Sequence, residues 1–365
     1  MPSNRAAYLT GPRVYPFQVK DALYTAPKAN ELVVKVAAVA INPVDYMKPQ
    51  MGDLLMFWMA YPAVMGSDVA GLVTEVGRQV TRFKVGDRVV GHALSQHKGR
   101  SSSSEGGFQH YTVLLDYMSS GIPDSMSFER ACVIPLGLST AACALFQKDQ
   151  LKLELPNRPN RKSTSKTVLV WGGSTSVGTN AIQLAVAAGY EVVTTASPRN
   201  FDYCRELGAK HVFDYSSPTV VKDIVAAVKA KQCAGAISMG AGSAEACMSV
   251  LSQVRGNKHI AMATFPLPEK YTLPRVAANM IPFMIRMYAR GTVNGVRFGF
   301  LFGTSLVDNG VGSSMYQDYL PVALADGSFV PKPDPMIVGK GLEKVQEACD
   351  IQQRGVSARK VVVLL

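Results

Sequence analysis

What this chain lacks narrows it before any motif does. Its six cysteines (132, 143, 204, 233, 247 and 349) are scattered, with no C-x-x-C pair and no framework spacing. That excludes a disulfide-stapled secreted scaffold and points to reduced thiols in a cytoplasmic setting. The first residues, Met1 to Tyr8, hold no long apolar run, so no secretory signal is expected. The most apolar stretches, Ala131 to Phe146 and Val276 to Tyr288, are interrupted by Pro135, Gly137, Pro282 and Arg286. Both fall short of the roughly 20 apolar residues of a membrane span, so a protein without a membrane partner is expected. Acidic residues are scarce beside basic ones: 38 − 27 gives a net charge of +11. The charge is dispersed and no basic helix interleaves with aromatics, which argues against a nucleic-acid partner and leaves a phosphate-bearing cofactor or an acidic protein. Internal repeats are also lacking, and 365 residues with 47% hydrophobic and 18% charged leave room for two ordinary globular cores.

What is present centres on Val168-Leu-Val-Trp-Gly-Gly-Ser-Thr-Ser-Val-Gly178. Val168 to Val170 suit a buried parallel strand, and the segment after Gly178 starts an amphipathic helix. Gly173 and Gly178 stand where a dinucleotide fingerprint has its first and last glycines, giving the tight turn and close helix packing. Thr175 occupies the middle position, so the hydroxyls of Ser174, Thr175 and Ser176 are expected to meet phosphate oxygens; Val177 completes the turn. The alternative is a short turn before a buried helix. A second β run, Glu191 to Ala196, ends where an NAD site places an acid, about twenty residues on. Ser197-Pro198-Arg199-Asn200 stands there instead, and a guanidinium with small polar donors suits a 2′-phosphate. NADPH is therefore the expected cofactor; a solvated surface arginine is the alternative.

The rest of the chain divides by its period. Residues 1 to about 125 are β-rich, with runs at 31–39, 70–76, 88–91 and 108–113 set apart by Val85-Gly86-Asp87 and Glu105-Gly106-Gly107. From about 130, helical stretches alternate with β runs at 168–170, 191–195, 211–213, 235–238 and 259–262, the mark of a doubly wound parallel sheet. The closing Arg359 to Leu365 follows a helical Leu342 to Gln353 and is expected to rejoin the first domain. Ser101 to Ser104 and the polar 156–166 segment read as mobile loops.

Several of these residues, in this order, resemble the medium-chain dehydrogenase/reductase superfamily over essentially the whole chain. They are Ala40-Ile-Asn-Pro-Val-Asp45, Gly66-Ser-Asp-Val-Ala-Gly71 with Val76-Gly77, Val85-Gly-Asp-Arg-Val89, Gly106-Gly-Phe108, and Leu207-Gly-Ala209 before Val212-Phe-Asp-Tyr215. The resemblance implies an α/β protein: a GroES-like catalytic domain (1–130), an NADPH-binding Rossmann domain (131–315) and a C-terminal segment (316–365) returning to the first, with the nicotinamide in the cleft between. Zinc-dependent members carry a histidine and glutamate where Gly66-Ser67-Asp68 stands here, and a cysteine cluster absent from 92–107. His92, His97 and His110 have no thiolate nearby and read as surface or hydrogen-bonded histidines, so no metal is expected.

Within the zinc-independent branch the chain looks most like fungal trans-acting enoyl reductases of polyketide synthases. Supporting residues include Gly137-Leu-Ser-Thr140-Ala, Ala196-Ser-Pro-Arg-Asn-Phe-Asp202 and Arg354-Gly-Val-Ser357. That likeness implies cofactor contacts at Val44, Asp45, Tyr46, Ser174 to Val177, Ser197 to Asn200, Tyr215, Met262, Ala263, Val356 and Ser357. It implies an α,β-unsaturated polyketide thioester on a synthase's acyl carrier as substrate, and the chain is read as a monomer rather than a homodimer. Conjugate reduction needs a donor for the developing enolate. Thr140 matches a position beside the nicotinamide and acyl chain; its alternative is a helix cap before Ala141. Tyr46 and Lys48 are candidate proton donors, Lys48 displaced by one position from the lysine of the pattern, with an exposed loop lysine the alternative. Asp53 stands where some enoyl reductases have a donor tyrosine. The Met-rich 264–315 region suits either an acyl-chain wall or ordinary core packing. Two other functions stay open: a free-standing NADPH quinone or enone reductase, and an NADPH-binding protein without turnover.

Overall fold

A computed structural model describes residues 2–156, 162–268 and 270–365. The chain folds as two compact units, Met1–Leu136 with Val307–Leu365, and Gly137–Leu306.

In the first unit, strands β1 (Asn4–Leu9), β2 (Gln18–Ala22) and β3 (Glu31–Ala40) precede helix α1 (Pro43–Met51). Strands β4 (Ala63–Val64), β5 (Asp68–Val76), β6 (Arg88–His92), β7 (Tyr111–Leu115) and β8 (Ser119–Gly121) follow. Helices α2 (Phe128–Ala131) and α3 (Pro135–Phe146) lead into the second unit. That unit holds β9 (Lys166–Trp171), α4 (Ser176–Ala187), β10 (Glu191–Ala196), α5 (Phe201–Glu206), β11 (His211–Asp214), α6 (Val220–Val228) and β12 (Gln232–Ser238). It continues with α7 (Ser243–Leu251), β13 (Arg255–Gly256), β14 (His259–Met262), α8 (Leu273–Asn294) and β15 (Arg297–Phe300). Helices α9 (Val311–Ser313) and α10 (Leu320–Ala325), β16 (Asp334–Lys340), α11 (Val345–Arg354) and β17 (Arg359–Leu364) complete the first unit.

The first unit is built around β3, whose apolar run is buried along most of its length because it pairs with β5, β7 and β17. β17 closes beside β3 in antiparallel register, Val363 opposite Val39, so the chain end rejoins the first domain as its valine run suggests. Leu32, Val34, Val69, Val89, Phe108 and Val363 share one core. The run at 108–113 becomes a strand only from Tyr111. Phe108 is instead fully buried, held by Met65 O and packed edge-on to Phe17.

The second unit carries a parallel sheet in the order β11-β10-β9-β12-β14-β15, with β13 beside β12. Its inner strands β9, β10, β12 and β14 are buried along most of their length, the condition that makes a parallel strand read as a continuous hydrophobic run. Chain order reverses between β9 and β12, and the carboxyl ends around that reversal are where such sheets take ligands.

Two expectations are corrected. The unit boundaries fall at 136/137 and 306/307 rather than 130/131 and 315/316. Leu136 N donates to Asp68 Oδ1 (2.6 Å) and Tyr316 Oη to Pro135 O (3.0 Å), which ties both segments to the first unit. Ser101 to Ser104 is pinned rather than loose: Gln109 Nε2 donates to Ser103 O and Ser104 O, and Ser102 Oγ to Ala60 O. The mobile loop expected at 156–166 lies, for 157–161, outside the described residues. The apolar stretch Phe128–Phe146 has the length and composition of a span, but it is two helices broken at Cys132 to Ile134 and is 72% buried.

Candidate cofactor site

The turn after β9 is shaped by what its glycines exclude. A Cβ on Gly173 would sit 2.2 Å from Thr194 Oγ1, and one on Gly178 would sit 2.2 Å from Gly172 O. Gly172 itself has φ +92°, the left-handed region that favours glycine. The first and last fingerprint glycines are therefore required by contact, as the sequence indicates.

The middle position works differently from expectation. Thr175 is the N-cap of α4: its Oγ1 accepts from Gly178 N (3.0 Å) and donates to Gly172 O (2.8 Å). Its hydroxyl holds the turn together and is not free for phosphate. Ser176 Oγ is also closed off, enclosed with no hydrogen-bond partner among the described residues, beside Gly137, where an added Cβ would lie 2.7 Å away. Of the three hydroxyls only that of Ser174 stays open. The first-turn amides around Ser176 and Val177 have no acceptor inside α4, and with the helix dipole they make this corner chemically suited to an anion.

The neighbouring strand ends converge on the same edge of the sheet. Beyond β10, Ser197 begins a single turn, Pro198–Asn200, and its Oγ lies 3.3 Å from Tyr215 Oη, just past β11. Tyr215 is 52% exposed, and Arg199 is exposed with no carboxylate paired to it among the described residues. Asn200 is buried and stands at the head of α5. Met262 is likewise a core residue at 1% exposure, its carbonyl accepting from Leu301 N (3.0 Å), and half-buried Ala263 donates its N–H to Ser238 O (3.0 Å), so both backbones are tied into the sheet edge.

One segment escaped the sequence reading. Met239 and Gly240, at the end of β12, abut the glycine turn: Thr175 Oγ1 also lies 3.2 Å from Met239 Sδ, and Gly240 N donates to Thr264 Oγ1 (2.9 Å). The signal was there in Gly240-Ala-Gly242, directly after the β run at 235–238.

Thr140 lies within α3, half-buried, its hydroxyl making no hydrogen bond to the side chain of another described residue. The helix begins at Pro135, so Thr140 caps nothing and its hydroxyl is available.

In the first unit, Val44, Tyr46 and Val356 pack half-buried against one core, and Ser357 is exposed. Asp45 is corrected from a cofactor contact to a buried cap. It accepts from Asn42 N (2.8 Å), Gly66 N (3.2 Å) and Gln96 Nε2 (3.3 Å). Burial pushes its pKa up to about 7, with Asp68 adding to the rise and the Asn42 and Gly66 amides opposing it. Lys48 is neither an exposed loop lysine nor a free proton donor. Its fully buried ammonium donates to Gly52 O (3.1 Å), Leu55 O (2.7 Å) and Met56 O (3.2 Å), so it ties the 52–56 turn to α1. Burial lowers its pKa, opposed by Asp53 at 3.4 Å. Asp53 itself is exposed and accepts from Tyr61 Oη (3.0 Å).

Where a metal would need thiolates and imidazoles, the described residues hold a buried ion pair. Lys360 Nζ lies 2.9 Å from Asp68 Oδ2, and Asn42 bridges them, donating to Asp68 Oδ2 (2.9 Å) and accepting from Lys360 (2.5 Å). His92 is fully buried, its pKa pushed down to about 4 chiefly by burial. His97 Nε2 lies 3.5 Å from Asp308, and His110 is half-buried. No group of three or more His, Cys, Asp or Glu among the described residues is placed to hold a metal ion.

Comparison with known proteins agrees with this geometry. Residues 28–124 match the family model "Alcohol dehydrogenase GroES-like domain" and residues 176–294 match "Zinc-binding dehydrogenase". The chain is 51% identical over 369 residues, covering all of both chains, to dehydrogenase pigH of Monascus ruber. It is 38% identical to trans-enoyl reductase himH of Aspergillus japonicus, covering 99% of this chain and 97% of that one. Among solved structures, CurK enoyl reductase superposes with a TM-score of 0.74 at 19% identity, over 100% of this chain and 99% of that one. The glycine cradle and the strand ends beside it fit a nicotinamide dinucleotide, the cofactor of this fold. The chain is thus an oxidoreductase belonging to the medium-chain dehydrogenase/reductase superfamily.

Proposed function

We propose that this protein is an NADPH-dependent enoyl reductase, reducing the α,β-double bond of a polyketide thioester carried by the acyl carrier domain of a separate synthase. The full-length relationship to a protein named trans-enoyl reductase supports the reaction. The observation that carries the cofactor choice is Arg199, exposed and with no carboxylate paired to it among the described residues, two residues beyond Ser197 of the Ser197–Tyr215 contact, at the strand end where an acid would select NADH.

The residues then take distinct roles. The turn at Gly172 to Gly178 seats the pyrophosphate on first-turn amides of α4. Ser197, Arg199 and Tyr215 take the 2′-phosphate through charge-assisted bonds. When bound, the dihydronicotinamide supplies the hydride that adds to Cβ of the enoyl thioester. Thr140, whose hydroxyl has no side-chain partner among the described residues, donates to the thioester oxygen as negative charge develops there. Lys48 is tied to three carbonyl oxygens and Tyr46 packs against the core, so water supplies the proton to Cα. The net charge of +11 suits an acidic carrier domain, and six buried free cysteines suit a reducing cytosol.

The test is turnover. With enoyl thioesters of N-acetylcysteamine or a carrier domain, NADPH consumption should follow the double bond and yield the saturated acyl chain. Oxidation of NADPH by simple quinones alone would favour a free-standing quinone reductase. Tight cofactor binding with no turnover on either acceptor would leave a binding protein.

A further inference from the structure

Helix α8 is held to the second unit chiefly by one face, with two further contacts from its sides: Tyr288 packs on Phe298, ring centroids 5.0 Å apart, and Arg290 Nη2 donates to Ser249 Oγ (2.9 Å). Phe283, Met287 and Gly291 are buried there, Phe283 and Met287 in the core that also holds Leu169 and Ile260. The opposite face is exposed and apolar: Ile281 is 58% exposed, Ile285 63% and Tyr288 62%. With exposed Ala278 and Thr292 these residues recur at intervals of three, four, three and four. That is the spacing of a seam that another helix fills, narrower than the stripe a helix presents to its own core.

Charge says what kind of helix fits. Arg275, Arg286 and Arg290 are exposed, and at 100° per residue all three fall on the same flank of the seam. From 270 to 307 the sequence has five cations (Lys270, Arg275, Arg286, Arg290, Arg297) and no acidic residue. A second copy of the chain, laid antiparallel across a two-fold axis, would set arginine flank against arginine flank, and like charges repel at such positions. We propose that the exposed seam of α8 is a docking face for an acidic amphipathic helix of another protein, its apolar residues meeting Ile281, Ile285 and Tyr288 and its carboxylates meeting the arginine flank.

This face is distinct from the cofactor corner, so the proposal stands or falls apart from the reading of the reaction. The probe is a fluorescent helical peptide of about 21 residues, three heptads, with leucine on the seam and glutamate on its flanks. Its twin carries lysine in place of glutamate. Anisotropy with the full chain should show binding of the glutamate peptide and not of the lysine peptide. I281D/I285D should abolish that binding and R275E/R286E weaken it roughly tenfold or more. Unchanged NADPH affinity and melting temperature would show both variants folded. Equal binding of the two peptides, no binding of either, or no loss in the variants would overturn the proposal. So would a dimer in sedimentation that I281D/I285D makes monomeric, or phosphatidylglycerol vesicles that capture the chain in preference to the peptide.

Discussion

Ser197 Oγ and Tyr215 Oη stand 3.3 Å apart and join the ends of two adjacent parallel strands into one polar ledge beside Arg199. Tyr215→Phe removes one donor from that ledge at an exposed position. Its expected cost is about 1 kcal/mol in NADPH binding, a loss of roughly fivefold, with stability in urea unchanged. Titration by tyrosine or cofactor fluorescence reads the first and chemical unfolding the second.

Thr175 separates a cap from a ligand. Because its hydroxyl satisfies Gly178 N, Thr175→Val should cost about 1 kcal/mol of stability while Thr175→Ser costs little. A phosphate ligand would show the reverse, with cofactor affinity lost and unfolding midpoint kept.

The Asp68–Lys360 pair is buried at both ends, so removing one partner strands the other. Lys360→Met should cost roughly 3–5 kcal/mol in urea unfolding. Replacing both partners by apolar residues should cost less than the two single changes added together, although Leu136 N then loses its acceptor on Asp68.

Acid stability depends on His92. Its folded pKa, about 4, lies below the ordinary 6.5, so between these values the unfolded chain binds the extra proton. Its contribution is complete above 6.5 and is lost as pH falls toward 4. Asp45, raised from 3.8 to about 7, acts in the opposite sense over 3.8 to 7, so comparison with a His92 variant isolates the histidine. His92→Gln should lose less stability than the parent on going from about pH 7 to about pH 5, by roughly 2 kcal/mol. Parallel slopes would contradict this.

The sequence exposed what repeats and what is sterically forced. The apolar runs of β9 to β12 and the glycines at 173 and 178 follow from parallel-sheet burial and from contacts that leave no room for a Cβ. Roles set by side-chain direction were not legible. Lys48 carries the same charge in a solvated loop as in a cage of carbonyl oxygens, and only the fold turns its ammonium inward. Thr175 could serve phosphate or backbone, and the helix start at Ser176 decided for the backbone. Helix α8 was hidden because Pro282, a breaker by local rules, sits inside it.

The central claim is that the guanidinium of Arg199 makes this an NADPH enzyme. Isothermal calorimetry of NADPH and NADH against the parent and Arg199→Ala tests it most directly. The account predicts NADPH bound more tightly by the parent. That preference should fall by about 1.5–3 kcal/mol in the variant, with NADH affinity unchanged. NADH bound as tightly as NADPH by the parent, or a preference untouched by the substitution, would contradict it.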